Sequence, residues 1–162
     1  MQENVERYYC RTVLGRIAFT LRDGRLAAID LPGAGEAGDA MPVVEGLATE
    51  VARQLEAWAA DPRFVFSLPL APAGTPFQRR VWRALRAIPP GEVRTYGELA
   101  RQLGSSARAV GGACRANPLP LVVPCHRVVA AGGPGGFAGR TQGAALALKR
   151  RLLAREGVRL ET

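Results

Sequence analysis

The stretch Tyr96-Gly97-Glu98-Leu99-Ala100-Arg101-Gln102-Leu103-Gly104-Ser105-Ser106-Ala107-Arg108-Ala109-Val110-Gly111-Gly112-Ala113-Cys114-Arg115-Ala116-Asn117 decides how the second half of this chain folds. Tyr96 to Leu103 reads as a short helix, Gly104-Ser105-Ser106 as a tight turn with a good N-cap, and Ala107 to Asn117 as a second short helix. Two short helices joined by a glycine-containing turn form a helix-turn-helix pattern. The second helix carries Gly111 and Gly112, each costing about 1 kcal/mol against alanine in a helix interior. Such glycines make sense where something must approach the backbone closely. Arg108 and Arg115 lie seven residues apart and share one face. Helix-on-helix packing through the glycines, with solvated arginines, is the competing possibility.

Downstream, an apolar run from Leu119 to Val123 leads into Pro124-Cys125-His126-Arg127-Val128. His126 is the only histidine and adjoins one of only three cysteines. A thiol with an imidazole nearby is the chemistry of a thiolate nucleophile. In an extended segment, adjacent side chains point apart, so a direct Cys125–His126 contact is not expected. A glycine-rich loop, Ala131 to Gly139, follows; no Gly-Lys-Ser/Thr accompanies it, so the phosphate-cradle reading is weak. Leu146 to Glu156 reads as a last amphipathic helix closed by Gly157.

Upstream, Thr75-Pro76 starts a helix that buries Phe77, Val81, Trp82 and Leu85 and shows Arg79, Arg80, Arg83 and Arg86; Pro89-Pro90-Gly91 ends it. Leu68 to Gly74 reads as a linker. Before it, Tyr8–Val13, Gly15–Leu21 and Leu26–Leu31 read as short strands, with Asp23-Gly24 a hairpin signal. Pro32 to Pro42 reads as a connector, Val43 to Ala60 as a helix, and Phe64-Val65-Phe66 as one more strand. The expectation is an α/β domain over residues 1–70, a small antiparallel sheet plus a helix, followed by a mainly helical domain over 71–162.

The 162 residues carry 22 basic and 14 acidic side chains, a formal charge of +8. Lys149 is the only lysine, so nearly all the positive charge is arginine, whose planar fork suits phosphate. A basic surface points to an anionic partner, nucleic acid first. Cys10, Cys114 and Cys125 cannot all pair internally, no CxxC occurs, and one histidine leaves few nitrogen ligands, so no metal site is expected. Free thiols, no signal-peptide pattern and no membrane-length apolar run predict a cytoplasmic protein.

Pro124 to Val129, PCHRVV, resembles the active-site motif of the O6-alkylguanine-DNA alkyltransferases, also called methylated-DNA–protein-cysteine methyltransferases. ARAVGGACRANP, Ala107 to Pro118, is similar to their recognition helix and asparagine hinge, and Thr75 to Leu99 is similar to the segment before it. The first third matches mainly in the order of its elements. The resemblance implies a ribonuclease-H-like first domain and a winged-helix-like second one. It also implies irreversible, single-turnover transfer of an alkyl group from guanine O6 to a cysteine.

Residue by residue, Cys125 matches the alkyl acceptor, His126 the base acting through a bridging water, and Glu156 the carboxylate that orients the imidazole. Asn117 matches the hinge asparagine and Tyr96 the hydrogen-bond donor to guanine N3. Val128, Phe137, Ala138 and Arg115 fall among the substrate contacts. Arg108 matches the finger that replaces a flipped nucleotide, with Thr95, Ala109, Gly112 and Arg115 as further DNA contacts. Taken alone, Glu156 reads as a solvated helix-end residue, Asn117 as a helix cap and Tyr96 as a packing residue. The resemblance implies no cofactor, no metal, no nucleotide cofactor and no membrane. It implies a monomer acting on double-stranded DNA that carries O6-alkylguanine, with O4-alkylthymine as a second lesion. Arg140 to Ala145, RTQGAA, is extra relative to many members, and the zinc ligands of some relatives are missing. Two other functions fit part of the pattern: damage binding without transfer, which Cys125 opposes, and thiol hydrolysis, which the helix-turn-helix opposes.

Overall fold

The computed structural model describes residues 4–32, 41–42, 46–133, 135 and 143–159. The chain forms two compact units, Met1–Ala73 and Gly74–Thr162. Among the described residues no helix is long and apolar enough to cross a membrane.

In the first unit, β1 (Val5–Thr12), β2 (Gly15–Arg22) and β3 (Arg25–Asp30) form an antiparallel meander. The β2–β3 turn has positive φ at both Asp23 (50°) and Gly24 (76°), which suits the twist of a two-residue hairpin. A two-residue strand the sequence reading left in a connector, β4 (Met41–Pro42), adds to β1 in parallel, giving the order β3-β2-β1-β4. Helix α1 (Leu47–Ala60) covers β1 and buries Val51, Leu55 and Trp58 with Ile17, Phe19 and Leu26. Its N-cap is Gly46; the expected start, Val43 to Glu45, lies outside the described residues.

Phe64-Val65-Phe66 is not a strand. Phe66 stacks on Trp58 and Phe64 meets Phe66 edge-on, while Val65 stays 81% exposed. The backbone that follows is held by the buried Gln54, whose amide accepts from Ser67 N (2.8 Å) and donates to Ser67 O (3.1 Å). Alternating aromatics here serve ring packing, and the ladder resumes only at Leu70, bridged to Leu26.

In the second unit, α2 (Pro76–Arg86) opens with a full capping box between Thr75 and Gln78. It buries Val81, Trp82 and Leu85, and Arg79, Arg80, Arg83 and Arg86 are exposed. Helices α3 (Tyr96–Leu103) and α4 (Ala107–Arg115) follow as expected, joined through Gly104 at φ 64° and capped by Ser106. The three helices pack together, and Trp82 Nε1 donates to Ala113 O at 2.8 Å, pinning α2 to α4. Helix α4 stops at Arg115, two residues early, because Ala116 closes the last turn.

Two short strands absent from the sequence reading, β5 (Arg94–Thr95) and β6 (Val128–Val129), pair in parallel. They set the start of α3 beside the residues that follow Cys125. Helix α5 (Ala144–Arg155) ends the unit and packs against a 3-10 turn at Cys125–Arg127, where the sequence reading had extended chain.

Candidate active site and nucleic-acid interface

Asn117 organises the approach to Cys125. Its Nδ2 donates to Val123 O (2.9 Å) and its Oδ1 accepts from Leu119 N (2.9 Å). Val123 N reaches Leu119 O (2.8 Å) and Cys125 N reaches Val123 O (2.8 Å), so the loop closes on itself. Leu121 is held in it at φ 76°, a region costly for a branched side chain. Asn117 is thus a brace across the loop and not the helix cap, which is Ala116.

The 3-10 turn puts Cys125 and His126 on different faces, since successive residues turn by a third of a circle. Cys125 is buried. Burial pushes the thiol pKa up; Asn117 and the Lys149 charge pull it down without overcoming that. The resting group is therefore a thiol that needs a base. His126 is fully enclosed, with Nε2 2.7 Å from Glu156 Oε2. Burial lowers its pKa more than Glu156 raises it, so the imidazole is neutral at pH 7. The Glu156 side chain has no exposure, so it is not a solvated helix-end residue. Burial alone would raise its pKa, but hydrogen bonds from His126 and Arg127 hold it down to about 2.

Two groups here carried no sequence signal of their role. Arg127 forks onto Glu156, Nε to Oε1 at 2.8 Å and Nη2 to Oε2 at 3.1 Å, and its Nη1 donates to Ile88 O at 2.7 Å. Lys149 is fully buried and donates to Val128 O at 2.6 Å. Burial drops its pKa to about 8, against the upward pull of Cys125 and Cys114. Cys114, pushed up to about 12 chiefly by burial, is inert by comparison.

Tyr96 begins α3, and its ring abuts Gly135 (φ 73°): a Cβ there would lie 2.9 Å from Tyr96 Cε2 and 3.1 Å from Oη. Only glycine fits that close approach. Phe137 and Ala138 lie outside the described residues, as do Arg140 to Gln142 of the extra segment. Thr95 Oγ1 accepts from Glu98 N (3.0 Å) as the N-cap of α3. On α4, Arg108, Gly112 and Arg115 are exposed in one stripe with Ala109 half-buried beside it. A methyl on Gly112 would meet nothing within 4 Å, and one on Gly111 would only touch Tyr96 Cδ1 at 4.0 Å. Internal packing therefore does not require these glycines.

The sequence profile described as the 6-O-methylguanine DNA methyltransferase, DNA binding domain, matches residues 76–158. The chain belongs to the O6-methylguanine DNA methyltransferase family. The matched span of this family contains Tyr96, Arg108, Asn117, Cys125, His126, Lys149 and Glu156. A methylated-DNA–protein-cysteine methyltransferase of Methanosarcina acetivorans is 52% identical over 86 residues, covering 52% of this chain and 55% of the relative. The constitutive one of Bacillus subtilis is 51% identical over 82 residues, covering 49% and 50%. The alignments thus span about half the length of these curated relatives. Among solved structures, the Mycobacterium tuberculosis O6-methylguanine methyltransferase superposes with a TM-score of 0.76 at 33% identity, covering 94% of this chain and 93% of that one. The M. tuberculosis OGT in complex with DNA gives 0.75 at 33% identity, covering 93% and 92%.

Proposed function

We propose that this protein repairs DNA by direct reversal, moving the alkyl group from O6 of guanine to Cys125 once per molecule. The observation that carries this is one turn of chain presenting an enclosed Cys125 thiol next to a His126–Glu156 couple. Neutral His126 takes the thiol proton through a bridging water, Glu156 stabilises the imidazolium, and the thiolate attacks the alkyl carbon. The carbon–O6 bond breaks as the sulfur–carbon bond forms. Its electron pair passes into the guanine ring, and Tyr96 donates a hydrogen bond to N3 of the leaving guanine. A thioether has no path back to thiol here, so the protein is consumed.

O6 cannot be reached within the duplex, so the nucleotide is flipped out and Arg108 takes its place in the stack. Ala109, Gly112, Arg115 and Thr95 lie along the DNA backbone, and binding is salt-dependent and largely indifferent to sequence. The Cys125 and Val128 carbonyls receive the guanine amino group; Phe137, Ala138 and Arg115 complete the pocket. No cofactor or metal takes part, and the working form is a cytoplasmic monomer on double-stranded DNA, with O4-alkylthymine as a secondary lesion. Residues 1–70 serve as a ribonuclease-H-like structural domain and residues 71–162 as a winged-helix-like acceptor domain. The test is stoichiometry: repaired O6-methylguanine should rise to one per protein and stop. Continued turnover would make Cys125 a hydrolase nucleophile instead.

A further inference from the structure

We infer that Arg127 is the positioning residue that fixes the proton content of the His126–Glu156 couple and so sets the lower pH limit of alkyl transfer. This rests on the reading of His126 as the base. The Glu156 carboxylate receives four donors: His126 Nε2 (2.7 Å), Arg127 Nε (2.8 Å) and Nη2 (3.1 Å), and Gly91 N (3.3 Å). The guanidinium is anchored independently, because Nη1 bonds Ile88 O at 2.7 Å. A forked, anchored guanidinium cannot follow the carboxylate elsewhere, and it fixes the geometry that a single ammonium would not.

Charge counting gives the consequence. Arg127 and Glu156 sum to zero, so the enclosed imidazole sits beside an already compensated carboxylate and stays neutral, ready to accept a proton. Without the guanidinium, a neutral imidazole and a carboxylate would leave one uncompensated negative charge, and both side chains are fully shielded. Such a couple takes up a proton at higher pH, whichever member holds it, and can no longer act as a base. Among the described residues, the charged groups that act on the imidazole include Glu156, which caps α5, Lys149 of α5, and Arg127 from its own turn, where Cys125 adjoins it. The segment after α2 reaches the couple through backbone groups, Ile88 O on Arg127 and Gly91 N on Glu156. Lys149 also opposes imidazole protonation, but it is unchanged in an Arg127 variant and cancels from the comparison.

The test uses the full chain, whose single histidine makes the imidazole NMR signal unambiguous. Arg127→Gln removes the charge and keeps a donor; Arg127→Lys keeps the charge and loses the fork. In Arg127→Gln the His126 midpoint and the acid limb of the methyl-transfer rate both rise by about one pH unit or more, with the alkaline plateau within roughly tenfold of the parent. Arg127→Lys stays within about half a pH unit of the parent. A lowered plateau with an unmoved limb and midpoint in Arg127→Gln overturns the inference, as does an Arg127→Lys shift of about a full unit. Should Arg127→Gln not fold, Arg127→Lys decides by the same limits. If the parent protein takes up no methyl at any pH, the repair reading falls, while the His126 midpoint still decides where Arg127 puts the proton.

Discussion

His126 Nε2 and Glu156 Oε2 lie 2.7 Å apart although thirty residues separate them in the chain. The couple joins the turn carrying Cys125 to the residue that ends α5, and both side chains are sealed from solvent. With Nε2 committed to the carboxylate, the proposed mechanism leaves Nδ1 as the nitrogen that exchanges a proton with the thiol. Glu156→Gln keeps the shape and removes the charge that supports an imidazolium. Alkyl transfer should fall by roughly 100-fold, with duplex affinity within about twofold, read by radiolabelled methyl uptake and fluorescence anisotropy.

The same carboxylate makes stability depend on acid. Its folded pKa, about 2, lies below the ordinary 4.5, so the unfolded chain binds the extra proton first. The contribution is fully present above about 4.5 and fades as pH drops toward 2, amounting to roughly 3 kcal/mol at most. Urea unfolding of the parent should therefore weaken over this window, and Glu156→Gln should show a flatter profile. Parallel profiles would place the acid sensitivity elsewhere.

Gly112 separates binding from stability. Alanine there meets nothing inside the protein, so Gly112→Ala should stabilise α4 by about 1 kcal/mol. The added methyl should stand between α4 and the DNA backbone and weaken duplex binding several-fold. Higher stability with unchanged affinity would remove this face of α4 from the interface.

Asn117→Ala removes the brace of the loop before Cys125, leaving Val123 O and Leu119 N without their partner. Stability should fall by about 1–3 kcal/mol, and transfer should slow beyond what the folded fraction explains. Loss of stability alone would reduce Asn117 to scaffolding.

Arg108→Ala tests flipping. Transfer from an O6-methylguanine duplex should slow by at least about tenfold, while transfer from free O6-benzylguanine, which needs no flipping, should be nearly unchanged. Equal losses would remove Arg108 from the stack.

Much of the second unit was legible because its signals are local. Caps at Thr75, Thr95 and Ser106 and the left-handed Gly104 are written beside the helices they bound. What stayed hidden was non-local. The β5–β6 pairing joins Thr95 to Val129, too short a match to leave a pattern. Arg127 and Lys149 look like surface charges in a basic chain, and only the fold encloses them. Phe64 to Phe66 misled because alternation records which side a residue packs on, and Trp58 offered a packing partner where no strand was available.

The most direct measurement is peptide mass spectrometry after reaction with a duplex carrying one O6-methylguanine. Trypsin cuts after Arg115 and Arg127, which puts Cys114 and Cys125 on separate peptides. One methyl on the Cys125 peptide, none on the Cys114 peptide, and none at all in Cys125→Ser is the predicted result. Tight lesion binding with every cysteine unmodified would contradict it and leave a damage-recognition protein.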